Sequence, residues 1–292
     1  MILQTDRLIL RPWQEDDAKD LYFYAKDREI GLPAGWPPHD SVANSLHIIR
    51  TVFSKPETYA VCLKENNRAI GSIGFHRNDL AQNDDEYELG YWIGKEYWGQ
   101  GLIPEAAREM LRYAFNDLKM NRIWCGYYEG NEKSKKVQEK LGFVYQGKTE
   151  GIEISLLNEI RTGHSNLMTK ERWQKVELFL EQKKTLDTFL NTKAITQAQY
   201  NKSYGDLVKL MGMEGVKHRA GGGGIMHTAF TPNRYPKHAK PHLLVGNPIP
   251  MFIGGACHHS RHVGANLFGL QQNPLLTNGC HFRKSPFNIR IG

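Results

Sequence analysis

The chain has 292 residues, 40% hydrophobic and 24% charged, enough for one large globular domain or two. Its longest apolar runs fall far short of the roughly 20 residues that a membrane helix needs, which excludes a spanning segment. The formal charge of +7 is uneven: residues 215–292 hold nine Lys/Arg and no Asp/Glu, so +9 sits there and residues 1–214 sum to −2.

The opening MILQTDRLILRP mixes acid and base early and lacks a signal-peptide core, so a cytoplasmic location is expected. LILRPW (8–13) reads as a strand and EDDAKDLYFYAKD (15–27) as an amphipathic helix. GLPAGWPPHD (31–40) reads as a Gly/Pro loop, with a second helix over about 41–54. TYAVCLKE (58–65), AIGSIGFHR (69–77) and EYELGYWIG (86–94) follow as three strands. Next, Ile103, Ala106, Ala107, Met110, Leu111, Ala114, Phe115 and Leu118 recur at i, i+3, i+4, i+7 spacing, a one-faced helix. RIWCGYY (122–128) is strand-like, NEKSKKVQEKLG (131–142) helical, and FVYQGK and the 154–168 region return to strand. Gly142 before Phe143 fits a helix stop with a left-handed glycine. The expected class is mixed α/β.

Residues 174–213 change character and read as two amphipathic helices joined near Asn191–Ile195, with Thr196 as N-cap. Such a hairpin would pack on the body or on a second copy, so a homodimer stays open. Residues 214–292 form a separate Gly/Pro/His-rich basic segment without sustained periodicity, expected to be disordered or poorly packed. Its abrupt loss of acidic residues suggests a readthrough or shifted-frame product appended to a complete protein. Among the cysteines there is no CxxC pair; Cys62 and Cys125 lie in strand-like runs as small apolar side chains. Cys257 and Cys280, among histidines, match no familiar zinc spacing, so no metal is expected.

The most informative stretch is GYWIGKEYWGQGLIPEAAREML (90–111), where a β-prone run ends in a Gly-x-Gly turn that opens into a helix. A helix N-terminus offers unpaired N–H groups and a partial positive charge, and glycines let a ligand approach the main chain. A P-loop would need Gly-Lys-Ser/Thr, but Gly101 is followed by Leu102 and Ile103. A dinucleotide fingerprint needs a small residue where Pro104 stands. An acyl-CoA pyrophosphate loop needs only backbone amides, and Pro104 is harmless in a first helical turn.

On TDRLILRPW (5–13), GYWIGKEYWGQGLIPEA, and Asn131-x-x-Ser134 continuing to KLGF (140–143), residues 1–173 resemble the GNAT superfamily of N-acetyltransferases, in its RimJ/RimL-like branch. Glu96 stands where the wider superfamily has Gln or Arg. The resemblance implies a strongly twisted mixed sheet, splayed between its fourth and fifth strands, with flanking helices. Acetyl-CoA would lie in that V, its pantetheine arm pairing with Tyr91, Trp92, Ile93 and Gly94 as an added strand. Its pyrophosphate would lie on the amides of Trp98, Gly99, Gln100, Gly101, Leu102 and Ile103, with Pro104 lining the turn. Asn131 would reach the pantetheine or adjacent backbone.

The implied reaction is direct attack of an amine on the thioester, with Ser134 giving a proton to the leaving sulfur and Glu88 or Glu153 acting as base. A backbone N–H near Ile93 would stabilise the oxyanion. Trp36, Tyr59 and His76 are expected to shape the acceptor side. The acceptor is a protein N-terminus or a small-molecule amine, and the −2 body mildly favours a cationic one. A non-catalytic acyl-CoA-binding module on the same fold is the alternative. The scattered basic residues of the tail suggest no specific nucleic-acid partner.

Overall fold

The computed structural model describes residues 1–78, 80–214 and 216. The expectations for the basic tail and for its cysteine–histidine set lie outside the described residues. Eight strands form one sheet in the order β1-β2-β3-β4-β5-β6-β8-β7. They are β1 Leu3–Gln4, β2 Leu8–Pro12, β3 Thr58–Leu63, β4 Ala69–His76, β5 Glu86–Ile93, β6 Arg122–Tyr128, β7 Val144–Ile154 and β8 Glu159–Thr169. Every neighbouring pair is antiparallel except β5–β6, which is parallel. This is the mixed α/β sheet with flanking helices that the sequence implied. The two-residue β1 shifts the count, so the strands expected as fourth and fifth are β5 and β6.

The first helix is shorter than its sequence pattern. A 3-10 turn at Glu15–Asp17 leads into α1, Ala18–Ala25. A helical turn that the sequence reading did not assign, α2 at Arg28–Gly31, precedes the expected 31–40 loop, which itself opens with a 3-10 turn at Leu32–Ala34. The reason is local. Asp27 accepts the Glu29 N–H, Pro33 suits an opening turn, and Gly35 ends it at φ 89°. Ser41 caps α3, Val42–Thr51, by accepting from Asn44 N at 3.0 Å.

The long amphipathic helix α4, Leu102–Asn116, buries Ile103, Ala106, Ala107, Met110, Leu111, Ala114 and Phe115. Full burial of a side chain such as Met110 or Leu111 stabilises the fold by about 1.5–3 kcal/mol. This seam fixes α4 against the sheet and so fixes where its N-terminus points. Helix α5, Glu132–Leu141, follows β6 and ends at Gly142, whose φ of 88° is the left-handed stop that the sequence signalled. Cys62 and Cys125 are free thiols buried in β3 and β6.

Helix α6 runs Lys170–Asn191 and α7 Gln197–Met211. The first starts four residues earlier than its sequence reading because Thr169, the last residue of β8, accepts from Arg172 N at 3.1 Å and caps it. Trp173 therefore belongs to the main core, while Val176 and Phe179 join Leu207, Met211, Met213 and Val216 in a core of the hairpin's own. Thr196 caps α7 as expected, in a reciprocal capping box with Gln199. No helix among the described residues is long and apolar enough to cross a membrane.

Candidate active site

Strands β5 and β6 pair over only three positions, Glu86 with Arg122, Tyr87 with Ile123 and Glu88 with Trp124. Both continue, β5 to Ile93 and β6 to Tyr128, but β6 then pairs only with β8. The sheet therefore opens after Glu88. Which backbone groups face the gap follows from strand alternation. Gly94 N donates to Ile70 O on β4 at 2.8 Å, so Gly90, Trp92 and Gly94 turn their peptide groups to β4. Leu89, Tyr91 and Ile93 turn theirs to the gap. Two contacts agree: Cys125 Sγ lies 3.2 Å from Leu89 O, and Trp98 Nε1 donates to Ile93 O at 3.1 Å. Among the described residues no strand pairs with Tyr91–Ile93 on that side.

The gap widens into a cavity of about 410 Å³. One wall is Tyr91, Trp92 and Ile93; another is Trp98, Gly99, Gly101, Leu102, Ile103 and Pro104; the third is Asn131, Ser134 and neighbouring α5 residues. Gly99 and Gly101 have φ of 75° and 77°, a left-handed backbone that other residues adopt only at a cost. Gly101 is the N-cap of α4 and has no side chain with which to cap it, so the first-turn amides stay available. Bare backbone at a helix N-terminus, beside an unpaired strand edge, fits a diphosphate with an amide-bearing arm. A coenzyme A group has that chemistry.

Ser134 sits in the first turn of α5, where its N–H donates to Asn131 Oδ1 at 3.1 Å. Its Oγ accepts from Gln138 Nε2 at 3.1 Å and lies 3.1 Å from the Tyr91 hydroxyl. Gln138, almost wholly buried, also donates to Gly126 O at 3.0 Å and accepts from Asn166 Nδ2 at 2.6 Å. Burial pushes the Tyr91 phenol well above its ordinary pKa, so it stays protonated. Asn131 spends its amide on Pro33 O at 3.2 Å, tying the 31–35 segment to α5.

Glu88 lies at the point where the strands part and is 1% exposed. His76 Nε2 stands 3.2 Å from Glu88 Oε2, and Asn78 Nδ2 donates to the same oxygen. On β6 Gly126 makes room for it: a Cβ there would stand 3.0 Å from Glu88 Oε1. Tyr128 is nearby, its phenol pushed up to about 12 by burial and then by the Glu88 charge, against Arg161. Glu88 and Tyr91 are three residues apart on β5, so their side chains leave opposite faces of the strand.

The other expected residues divide. Glu153 is exposed on β7, between the buried Ile152 and Ile154, and the structure does not bring it to Ser134 or Glu88. Gly94 and Gln100 do not line the cavity. A side chain at Gly94 would strike the Tyr24 ring at 2.5 Å, and Gln100 donates to Glu96 O at 2.8 Å. Trp36 packs edge-on against Trp92, with centroids 6.0 Å apart, whereas Tyr59 turns its hydroxyl to Glu57 at 2.7 Å. Gln138 and Asn166 were not singled out from the sequence. Gln138 carries a signal, since it follows Ser134 by four residues on one helix face. Asn166 carries none, because only the β6–β8 register brings it there.

The acetyltransferase (GNAT) domain pattern matches residues 7–144. The protein named uncharacterized N-acetyltransferase YoaA, from Bacillus subtilis, is 30% identical over 151 residues, half of this chain and 84% of that one. The [ribosomal protein uS5]-alanine N-acetyltransferase of Escherichia coli is 27% identical over 158 residues, half of this chain and 79% of that one. In three dimensions a GNAT-family acetyltransferase from Bacillus anthracis aligns with TM-score 0.53 at 23% identity, covering 59% of this chain and 99% of that one. At that identity the likeness speaks for the fold.

Proposed function

The chain belongs to the GNAT family of N-acetyltransferases, and from that premise we propose that it moves the acetyl group of acetyl-CoA to a primary amine by direct attack. The observation that carries this reading is the parting of β5 from β6 after Glu88 beside the bare N-terminus of α4. The acetyl thioester is the group supplied by the bound acetyl-CoA; the rest is the work of this chain.

The amides of Gly99 to Ile103 hold the diphosphate, and the peptide groups of Tyr91 and the N–H of Ile93 pair with the amide arm, the Ile93 carbonyl being held by Trp98. The same edge offers an N–H to the oxygen that gains charge as the carbonyl is attacked. An amine attacks only when neutral, and the candidate to take its proton is Glu88. That residue is buried where β5 and β6 part and does not itself line the cavity, so the proton would pass through water. Its shell of His76 and Asn78 orients the carboxylate. Burial at the strand separation favours Glu88 over Glu153, which is exposed on β7. Gln138 fills a lone pair of Ser134 Oγ, which leaves the hydroxyl proton free for the departing sulfur, with Tyr91 as a second donor behind it.

The acceptor is a protein N-terminus or a small amine. The name of the Escherichia coli relative, an alanine N-acetyltransferase of a ribosomal protein, supports the polypeptide arm. The test is release of thiol from acetyl-CoA with N-terminal peptides, polyamines and amino acids as acceptors. Turnover should appear with at least one class, and Ser134→Ala should lower kcat about 10- to 100-fold with the acetyl-CoA affinity kept. No turnover with any amine and no calorimetric binding of coenzyme A at millimolar concentration would refute the reading.

A further inference from the structure

Arg7, on the turn between β1 and β2, makes contacts that the chemistry above does not use. Its Nε donates to Glu105 Oε2 at 2.7 Å, its backbone N–H to Glu105 Oε1 at 2.9 Å, and its Nη1 to the carbonyl of Gln100 at 3.1 Å. Thr5 Oγ1 donates to Glu105 Oε1 at 2.6 Å. Glu105 lies in the first turn of α4, and its N–H returns to Gly101 O at 3.2 Å. Desolvation would raise its pKa, but the bonds from Thr5 and Arg7 outweigh that and hold it below the usual carboxylate range.

We propose that Arg7 aims the phosphate-binding amides by gripping the Gln100 carbonyl, and cancels the Glu105 charge that would otherwise oppose a diphosphate. Two physical arguments meet at this residue. In a trans peptide the C=O and the following N–H point to opposite sides. With the Gln100 carbonyl drawn outward to Arg7, the Gly101 N–H is turned the other way, toward the cavity that Gly101 lines and Gln100 does not. Gly101 has φ of 77° and, as glycine, a wide choice of alternatives, so an outside grip has something to restrict. The second argument is charge. An acid in a helix's first turn suits the helix dipole but repels a phosphate at the same end. Arg7 engages both oxygens of that acid, with Nη2 2.6 Å from Glu105 Oε2. Arg7 thus acts through the loop and touches no reacting atom.

This inference rests on the acetyl-CoA reading, and the experiment separates the two. Coenzyme A affinity is measured by calorimetry, and kcat and KM for acetyl-CoA by thiol release, on the full chain and on Arg7→Ala, Arg7→Lys and Glu105→Gln. Arg7→Ala should weaken coenzyme A about 10-fold and raise KM likewise, which is about 1.4 kcal/mol, with kcat at saturation within twofold. Arg7→Lys keeps the charge without the fork that spans Glu105 and Gln100, so it should recover only part of the affinity. Glu105→Gln keeps the Gln100 grip and removes the acid, so it should lose several-fold less than Arg7→Ala. Equal losses in Arg7→Ala and Glu105→Gln, or a fall in kcat with KM unchanged, would overturn the proposal in favour of a plain structural tie. So would an Arg7→Ala chain that binds as the natural one does. If the natural chain itself binds no coenzyme A, the failure belongs to the acetyl-CoA reading.

Discussion

Replacing Gln138 with methionine keeps an unbranched side chain of similar length and removes its polar end. Three hydrogen bonds disappear: to Gly126 O at 3.0 Å, to Ser134 Oγ at 3.1 Å and from Asn166 Nδ2 at 2.6 Å. The site is closed to water, with Gln138 at 1% and Asn166 at 7% exposure. Each bond contributes about 1 kcal/mol net, and a buried group left without a partner costs about 1–3 kcal/mol. The added apolar burial of the thioether offsets part of this, so a loss of about 2–4 kcal/mol is expected. That is a large share of the ~5–15 kcal/mol by which domains are stable. Urea unfolding followed by circular dichroism measures it, with an unchanged m-value as the check that both states unfold alike. The same variant frees Ser134 Oγ from its only amide donor among the described residues, so kcat should fall, though less than in Ser134→Ala. A loss below 1 kcal/mol with kcat unchanged would show that this network neither holds α5 to the sheet nor orients Ser134.

Gly101→Val places a branched side chain at φ 77°. It should cost about 1–3 kcal/mol of stability or displace the turn, and calorimetry should show coenzyme A weakened at least 10-fold; unaltered binding would remove Gly101 from the phosphate site. His39, tilted against the Trp36 ring and bonded through Nδ1 to Ser45 Oγ at 2.7 Å, has its pKa lowered to about 4, mainly by burial. The unfolded chain therefore binds this proton between about pH 6.5 and 4 while the folded chain does not, so stability is full above pH 6.5 and falls as pH drops through that window, by at most about 3 kcal/mol. Unfolding curves of His39→Asn across the window should be flatter than those of the natural chain by that amount, and parallel curves would count against it.

Local chemistry explains what could be read early. The α4 periodicity, the Gly142 stop, the Thr196 cap and the strand runs are short-range patterns, each fixed by residues within a few positions of one another. The Gly-x-Gly turn is of the same kind, and Gly99 and Gly101 line the cavity. The α2 turn escaped notice because its four residues are too few to show a period, and the Asp27 cap that forms it depends on one hydrogen bond. The start of α6 was set too late for a similar reason: Thr169 is at once the end of a strand and a helix cap.

By itself the amino-acid sequence determined the alternation of strands and helices, the apolar seam of α4 and a glycine-lined helix mouth suited to phosphate, because these depend on near neighbours along the chain. Only the tertiary structure decided that β5 and β6 separate after Glu88, that Glu88 is enclosed by His76 and Asn78 while Glu153 lies exposed, and that Gln138 and Asn166 back Ser134. Those relations join residues far apart in the chain. They follow from sheet register and helix docking, where one slipped residue turns a side chain to the other face.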